Sequence, residues 1–311
     1  MHPTTDQIKS TEMKKQSFYK LAFLLPLLIW CTAMVNAQDD SSQPATPSSP
    51  KVKPVKNTFE SIWIIDNQTV MVPIKGTFEM DIMHRFGTVK NGYEDFWGFF
   101  APSNIRLGFN YVPLNKLMIG VSITKTNMTW EGYAKYSIFQ QTPGRMPVSV
   151  TYYGDIAIDS RTADNFIDKS DRLMYFNQII VARKINDWLS LQVAPTYTHV
   201  NRVDGYFYEP GKYQGVTKHD HFSLSTAGRI KLKENMAVIF NYDQPITKHP
   251  TNNPAPNLAF GLELGTSAHC FQFFVGNFQA ITPSRNNYYN QNNYKDGEFL
   301  IGFNITRLWN Y

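Results

Sequence analysis

Eight charged residues fall at alternate positions of short apolar segments, and this spacing indicates that they share one surface. They are Glu79, Asp81, Arg85, Arg106, Glu131, Lys135, Arg229 and Glu263. Alternate side chains of a β-strand point to opposite faces of its sheet, so we expect these eight to line the interior, or lumen, of a closed sheet. Acidic and basic residues balance, and buried charges must be paired to be tolerated. We therefore favour an interior held by ion pairs over the alternative of a small polar pore, and we expect no strong ion selectivity.

Serine and histidine lie close together at two places where a hydrolase site could form. Ser223 follows His221 by two positions, and His269 follows Ser267 by two. Nucleophilic catalysis needs a serine, a base and an orienting carboxylate or amide within reach of one another. The chain has no Gly-x-Ser-x-Gly turn. His219 and His221 could supply two metal ligands, but a third would have to come from elsewhere. We expect neither an enzyme nor a metal or cofactor.

Tyrosine and amide residues are concentrated in two long polar segments. Tyr206 and Tyr208 lie in the first, and Tyr288 and Tyr289 lie in the second, which reads NNYYNQNNY over residues 286–294. Phenol rings and amides together can stack on sugars and hydrogen-bond to them. Polar surface loops are, however, commonly mobile. A mobile loop is therefore the default interpretation, and binding of an external glycan or partner is the alternative.

The elements that must position these residues are strands, because apolar residues recur with a period of two. In the last segment Phe303 and Ile305 alternate with Asn304 and Thr306. A soluble sheet would turn the apolar face into a core, whereas a transmembrane barrel would turn it to lipid. Twelve segments show the period, although 172–184 is apolar on both faces: 76–86, 103–113, 117–126, 128–140, 147–158, 172–184, 188–200, 221–232, 236–243, 257–266, 269–279 and 299–311.

The connections between these segments alternate in length. Short turns are expected at 113–116, 141–146, 186–187, 233–235 and 266–268, and long polar connections at 87–102, 159–171, 201–220, 244–256 and 280–297. The one exception is 125–127, which is short where a long connection is due. This layout is typical of outer-membrane barrels. The sequence predicts an all-β fold: a closed antiparallel transmembrane β-barrel of about twelve strands with short periplasmic turns and long external loops.

The N-terminal region carries an export signal. Lys14, Lys15 and Lys20 precede an apolar run at 21–29, and Val35-Asn36-Ala37 offers small residues at the spacing of a cleavage site. We predict a signal peptide over 1–37, a disordered Ser- and Pro-rich linker over 38–57, and the β-barrel domain over 58–311. Residues 58–75 could form a plug, a small helix or an extra strand.

Composition agrees with a membrane barrel. The chain is 14% aromatic but only 42% hydrophobic, as expected when each strand has one polar side. Basic residues are spread singly, and part of the net charge of +5 lies in the signal peptide, so nucleic acid is not an expected partner. The aromatic C-terminal residues Phe303, Trp309 and Tyr311 are predicted to act as an assembly signal. The expected partners are outer-membrane lipid, the barrel-assembly machinery and a small polar solute or glycan.

Four motifs give a resemblance: MHRFG at 83–87, SNIRLG at 103–108, NYDQP at 241–245 and FLIGFN at 299–304. With them the chain resembles an uncharacterised outer-membrane β-barrel family of Bacteroidota, a domain of unknown function. The resemblance covers nearly all of the mature chain. It implies location and architecture, and it transfers no catalytic residue.

We conclude from the sequence that the protein is an outer-membrane β-barrel, exported through a cleaved signal peptide, that serves as a narrow channel or a structural barrel of unknown substrate. Two alternatives remain. The first is a secreted β-protein that binds a carbohydrate or apolar ligand without crossing a membrane. The second is a lipid-modifying outer-membrane barrel enzyme.

Overall fold

The computed structural model describes residues 52–310, apart from the side chains of Phe207, Tyr208 and Tyr213. Sixteen strands occur in this part of the chain: β1 (Trp63–Ile64), β2 (Asn67–Gln68), β3 (Thr77–Thr88), β4 (Asn104–Leu114), β5 (Leu117–Thr124), β6 (Thr129–Phe139), β7 (Ser149–Asp159), β8 (Leu173–Lys184), β9 (Leu189–Val200), β10 (Gly205–Glu209), β11 (Lys212–Gly215), β12 (Asp220–Lys233), β13 (Met236–Pro245), β14 (Asn257–Gly265), β15 (His269–Gly276) and β16 (Leu300–Asn310).

Twelve of these strands form one closed antiparallel barrel, which confirms the predicted fold. Strands β3 to β9 and β12 to β16 each pair with the next one around the barrel, and β16 pairs with β3 to close it. The remaining four strands form two small hairpins, β1 with β2 and β10 with β11. All twelve barrel strands coincide with the twelve segments that the sequence predicts, with ends that differ by at most three residues. Closure leaves no sheet edge unpaired.

The apolar face of each strand points outward, away from the barrel interior. Ile119 is 44% exposed and Leu262 is 48% exposed, and both stand in a belt of exposed Ile, Leu, Val and Phe side chains around the barrel. The opposite parity is buried. In the strand with ambiguous facing, Phe176 and Ile180 point inward while Ile179 points outward. A water-soluble protein rarely exposes a continuous apolar belt of this extent.

The connections are sorted by length at the two ends of the barrel. The short end carries the turns 115–116, 140–148, 185–188, 234–235 and 266–268, and the long end carries 89–103, 125–128, 160–172, 201–219, 246–256 and 277–299. As predicted, 125–128 is the short exception at the long end.

The long connections contain the helical turns. Helix α1 spans Pro283–Tyr289, and 3₁₀ turns span Val89–Asp95, Thr126–Met128, Ala163–Asn165, Lys169–Arg172 and Tyr294–Asp296. Among residues 52–310 no helix has the length and apolar character needed to cross a membrane.

Of residues 58–75, residues 58–70 fill the middle of the barrel, and residues 71–75 become exposed as the chain leads to β3. Strands β1 and β2 form a hairpin whose two-residue turn is Ile65 and Asp66, and Ile65 adopts a positive φ of 59°. Turns of two residues require a positive φ at the first position, which few side chains tolerate. Phe59 and residues 62–70 are buried. Of the three alternatives for this segment, the structure shows a plug, hereafter the plug hairpin.

Candidate functional site: the plugged interior

The plug hairpin enters and leaves the barrel at the same end. Before it, the amide of Val55 donates to the carbonyl oxygen of Gln141 in a short turn (2.8 Å). After it, the amide of Gly76 donates to the carbonyl oxygen of Val112 near the short end of β4 (2.8 Å). The hairpin is therefore tied at both ends to the short end, and its tip points toward the long end.

Wall side chains satisfy the backbone of the plug hairpin. Gln272 of β15 donates to the carbonyl oxygen of Trp63 (2.9 Å) and accepts from the amide of Ile65 (3.0 Å). Gln192 of β9 donates to the carbonyl oxygen of Gln68 (2.9 Å). Buried backbone groups must find partners, and a two-stranded hairpin leaves its outer edges unpaired. The barrel wall thus takes the place of neighbouring strands.

Lys135 of β6 is bound to the plug hairpin rather than to a carboxylate. Its Nζ donates to Gln68 Oε1 (2.7 Å), to the carbonyl oxygen of Thr69 (3.2 Å) and to that of Ile62 (3.3 Å). The side chain is fully buried. Three oxygen acceptors therefore solvate this ammonium in place of water.

Three of the eight charged residues form a buried ion cluster. Arg106 Nη1 lies 2.6 Å from Asp81 Oδ1, and Arg106 Nε lies 3.0 Å from Glu131 Oε2. Asn110 donates to Asp81 (2.8 Å), and Ser122 donates to Glu131 (2.7 Å). Each carboxylate therefore has a charged and a neutral donor, which is what buried ion pairs require.

A glycine makes room for this cluster. Gly108 pairs with Asp81 across β3 and β4, and a Cβ at Gly108 would lie 2.4 Å from Asp81 Oδ2. The guanidinium of Arg106 also lies 4.8 Å from the ring centroid of Trp63. The cluster therefore contacts the plug hairpin through a cation–π interaction.

A second ion pair lies near the short end. Arg229 Nε donates to Glu263 Oε1 (2.6 Å), and Arg229 Nη2 lies 3.5 Å from Glu60 Oε2 at the start of the plug hairpin. Gln272 also donates to Glu263 (3.0 Å). Here too, wall charges and plug residues share one network.

The two remaining charged residues have no carboxylate or cation within ion-pair distance in the part of the chain that the structure describes. Arg85 donates to Asn304 Oδ1 (2.9 Å), and its guanidinium lies 4.4 Å from the ring centroid of Phe274. Glu79 is buried, and its Oε1 has no hydrogen-bond partner among the described residues. Five of the eight charges thus form ion pairs with each other, while Glu79, Arg85 and Lys135 do not.

The tip of the plug hairpin is held by residues that were not among the predicted site residues. Asn241 donates to Asp66 Oδ1 (2.9 Å), and Asn67 donates to Asp243 Oδ1 (2.8 Å). Asn286 of α1 also donates to Asp66 Oδ2. Asn241 and Asp243 stand on the inward parity of β13, so strand alternation could have identified them. Asp66 has no such signal, because its segment is not part of the barrel.

Segment 277–299 folds inward from the long end. Tyr288 is 1% exposed, and its hydroxyl donates to Thr217 Oγ1 (2.7 Å), so it does not face solvent. Tyr289 is 44% exposed and Tyr206 on β10 is 43% exposed. The side chain of Tyr208 lies outside the described part. The rings of Tyr288 and Tyr289 are in contact, with centroids 4.6 Å apart, and a role of these tyrosines in recognition stays a prediction.

The aromatic residues of the C-terminal strand face outward. Phe303 lies on the apolar parity, and the ring centroid of Trp309 lies 5.5 Å from that of Phe78 on β3. Tyr311 lies outside the described residues. Their role as an assembly signal stays a prediction.

The serine and histidine residues near the long end are engaged with other groups. His221 Nδ1 lies 2.9 Å from His249 Nε2, and Ser223 Oγ donates to Asn287 Oδ1 (2.7 Å). Burial and the ammonium of Lys218 lower the pKa of His249. Ser223 is therefore not hydrogen-bonded to a base. Within residues 52–310 no group of three or more His, Cys, Asp or Glu could hold a metal ion.

The chain is similar to several solved outer-membrane proteins at low sequence identity. The NanC porin is 10% identical, with 75% of this chain and 99% of that chain covered and a TM-score of 0.46. The KdgM porin is 11% identical, with 75% and 99% covered and a TM-score of 0.42. An outer-membrane channel from Pseudomonas putida F1 is 10% identical, with 77% and 97% covered and a TM-score of 0.46.

No sequence of a curated protein matches the chain. A family of domains of unknown function does match it, over residues 59–309, which include the plug hairpin and all twelve barrel strands. That family is described as a membrane-bound β-barrel domain, and the outward-facing apolar belt agrees with this description. The chain belongs to the membrane-bound β-barrel domain family DUF5777.

Proposed function

We propose that the protein is a bacterial outer-membrane channel for small polar solutes, and that the plug hairpin closes it in the present conformation. The observation that carries this proposal is the chemistry of the wall behind the plug. Lys135, Gln192 and Gln272 project from β6, β9 and β15, and each of them donates a hydrogen bond to the hairpin. If the hairpin moved away, water could take over these hydrogen bonds. The wall would then line a hydrophilic passage from the short end as far as α1.

The attachment of the plug hairpin is compatible with such a movement. Both of its ends are fixed at the short end, and no strand pairing joins it to the barrel. The hairpin can therefore leave toward the short end while the twelve-stranded sheet stays closed. Short turns of outer-membrane barrels face the periplasm, so the plug would move into the periplasm.

A reversible tether tests this proposal. Ser61 Oγ of the plug hairpin lies 3.4 Å from Thr306 Oγ1 of β16, so we expect the double variant Ser61→Cys/Thr306→Cys to form a disulfide on oxidation. Cys270 lies opposite Thr306 on β15 and must first be replaced by Ala. In planar bilayers we expect conductance steps from the reduced protein, none from the oxidised protein, and recovery after reductant is added.

The matched control is the Cys270→Ala protein without the new cysteines, whose conductance should not respond to oxidant or reductant. Two results would count against a plug-gated channel. One is the absence of conductance steps in every reduced protein at any applied voltage. The other is conductance that persists in a protein with a fully formed tether.

A structural barrel is the second candidate, and one specific observation favours it. The plug hairpin also contributes Phe59, Ile62 and Val70 to an apolar cluster with wall residues such as Met118 and Ile180. Exposing each large apolar side chain costs roughly 1.5–3 kcal/mol. A permanently filled barrel would show no conductance and no change in protease sensitivity of residues 58–75 under voltage or mild denaturant.

The remaining alternatives have less support. Membership of a membrane-bound family argues against a secreted protein that never enters a membrane. For a lipid-modifying enzyme, one of the two candidate pairs is Ser223 with His221, and each of these is hydrogen-bonded to another residue. We propose that the protein is not an enzyme. Incubation of the refolded barrel with phospholipid and lipopolysaccharide, with product analysis by mass spectrometry, tests this directly.

Outer-membrane location is tested by fractionation. A folded barrel there should appear in the detergent-dependent outer-membrane fraction and should change its electrophoretic mobility on heating. Recovery of the protein in a soluble periplasmic or secreted fraction would contradict this location.

A further inference from the structure

A cavity of about 480 Å3 lies at the long end of the barrel, beside α1. Its wall combines the connection after β7, the ends of β7, β8 and β9, and two residues of α1, Arg285 and Tyr289. Its volume lies within the range of about 300–1,000 Å3 that is usual for small-molecule sites. Unlike most such sites, its wall is dominated by charged and amide groups.

Two of the four arginines in the wall are already neutralised. Arg161 makes a two-point contact with Asp159, with distances of 2.9 Å from Nε to Oδ1 and 2.7 Å from Nη2 to Oδ2. Arg202 Nη2 lies 3.0 Å from Asp204 Oδ1. These pairs use up two wall carboxylates as well as two cations.

A third arginine is used to hold the loop. Arg172 Nη1 donates to the carbonyl oxygens of Asp159 (3.0 Å) and Arg161 (2.7 Å), and its guanidinium lies 4.3 Å from the ring centroid of Phe166. Asp171 is likewise committed to the loop, since it accepts from the backbone amides of residues 167 and 168 (3.2 and 2.9 Å).

Arg285 is different, because among residues 52–310 its guanidinium has neither a carboxylate within ion-pair distance nor an oxygen atom as hydrogen-bond acceptor. Its guanidinium lies 5.3 Å from the ring centroid of Tyr289, and its Nη1 lies 3.9 Å from the sulfur of Met174. Asp159 acts on it electrostatically, but the oxygens of Asp159 are taken by Arg161 and by Asn127 (2.9 Å). Burial lowers the pKa of Arg285. A largely buried cation without an anionic partner is costly, and an anion that enters the cavity would offset that cost.

We propose that this cavity binds a small hydroxylated carboxylate of the sugar-acid class, with the ligand carboxylate against the guanidinium of Arg285. A planar guanidinium matches a carboxylate with two parallel hydrogen bonds. The remaining wall groups are amides and carboxylate oxygens in ion pairs, which accept hydrogen bonds from hydroxyls. Of the four wall carboxylates, Asp159, Asp171 and Asp204 are engaged, so a ligand ammonium would find only Asp164, which is exposed to solvent.

This proposal does not depend on the plug hairpin or on conduction. Binding can be measured on the refolded full-length barrel in detergent, so a channel that fails to conduct and a cavity that fails to bind give separate results.

The experiment is isothermal titration calorimetry, in which the affinity of the folded protein is measured separately for glucuronate, glucose and acetate. Glucose lacks the carboxylate, and acetate lacks the hydroxyls. We expect glucuronate to bind at least about ten times more tightly than either, since a charge-assisted hydrogen bond contributes roughly 1.5–3 kcal/mol. Equal affinity for glucose and glucuronate, or for acetate and glucuronate, would overturn the assignment, as would no binding of glucuronate.

The variant Arg285→Gln should reduce the affinity for glucuronate by about ten-fold or more and leave that for glucose unchanged. The matched control is Arg145→Gln, which removes an exposed arginine in a short turn at the other end of the barrel. Heat-dependent mobility shows whether each variant is folded. If Arg285→Gln does not fold, the wild-type contrast between glucuronate, glucose and acetate still decides the matter. A folded Arg285→Gln protein with unchanged affinity for glucuronate would refute the proposal.

Discussion

The carboxylate of Asp66 accepts a hydrogen bond from the side-chain amide of Asn286. Asp66 is the turn of the plug hairpin, which enters from the short end of the barrel, and Asn286 belongs to α1, which folds in from the long end. The two elements that fill the barrel therefore meet inside it. Asn286 follows Arg285 in the sequence, so this contact links the plug hairpin to the wall of the cavity at the long end.

If this contact helps to keep the channel closed, Asn286→Ala should open it more often. The substitution removes a donor to a buried carboxylate, which costs the closed state roughly 1–3 kcal/mol. We expect an increase in open probability of about five-fold or more in planar bilayers, with unchanged single-channel conductance. Asn165→Ala, in the connection after β7, serves as the control and should behave as wild type. Identical open probabilities for the Asn286→Ala and wild-type proteins would show that the contact does not gate the barrel.

Lys135 is expected to fix the returning strand of the plug hairpin. The variant Lys135→Met keeps the length of the side chain but leaves the acceptors on Ile62, Gln68 and Thr69 without their ammonium. Unsatisfied buried acceptors should loosen the hairpin by about 1–3 kcal/mol. Limited trypsin digestion should then cut at Lys75 more rapidly than in the wild type, while the barrel resists.

The control for this experiment is Lys116→Met, since Lys116 is exposed in the turn between β4 and β5 and its side chain makes no hydrogen bond or ion pair with the plug hairpin. Its digestion pattern should match that of the wild type. An unchanged rate of cutting at Lys75 in the Lys135→Met protein would mean that the hairpin is held by its apolar contacts instead.

The start of the mature chain is a further prediction. The small residues Val35 and Ala37 place the cleavage site so that Gln38 becomes the first residue. Mass spectrometry of protein purified from outer membranes should therefore give a chain of residues 38–311. A mass that includes the apolar run at 21–29 would indicate an uncleaved anchor.

The barrel could be predicted from the sequence because each strand carries its own signal. Alternation in β4, β5 and β14 fixes both the presence of the strand and the side that faces outward. Loop lengths then order the strands around the barrel. These signals are local, so one sequence is enough to read them.

The plug hairpin could not be predicted in the same way. Apolar and polar residues do not alternate regularly over residues 62–70. This short hairpin is surrounded by the wall, so both of its faces are buried and neither is marked by a run of polar residues. The expectation that Lys135 joins an ion pair is wrong because the position of the plug hairpin was unknown. The true partners of Lys135 are oxygens of a segment distant in sequence, and nothing local to β6 indicates them.

The ion cluster of Asp81, Arg106 and Glu131 gives the sharpest stability prediction, because the inward-facing Gly108 of β4 can be compared with the outward-facing Gly132 of β6. Gly108→Ala would place a Cβ 2.4 Å from Asp81 Oδ2, and the carboxylate would have to leave its position against Arg106. Gly132→Ala would meet no atom within 4 Å. Overpacking typically costs about 1–3 kcal/mol, and weakening the ion pair adds to it. We therefore expect Gly108→Ala to lower the midpoint of urea unfolding in lipid vesicles clearly, and Gly132→Ala to leave it unchanged or raise it slightly. Equal midpoints for the two variants would show that the carboxylate of Asp81 can move without loss, and that the cluster does not hold β3 and β4 to the plug hairpin.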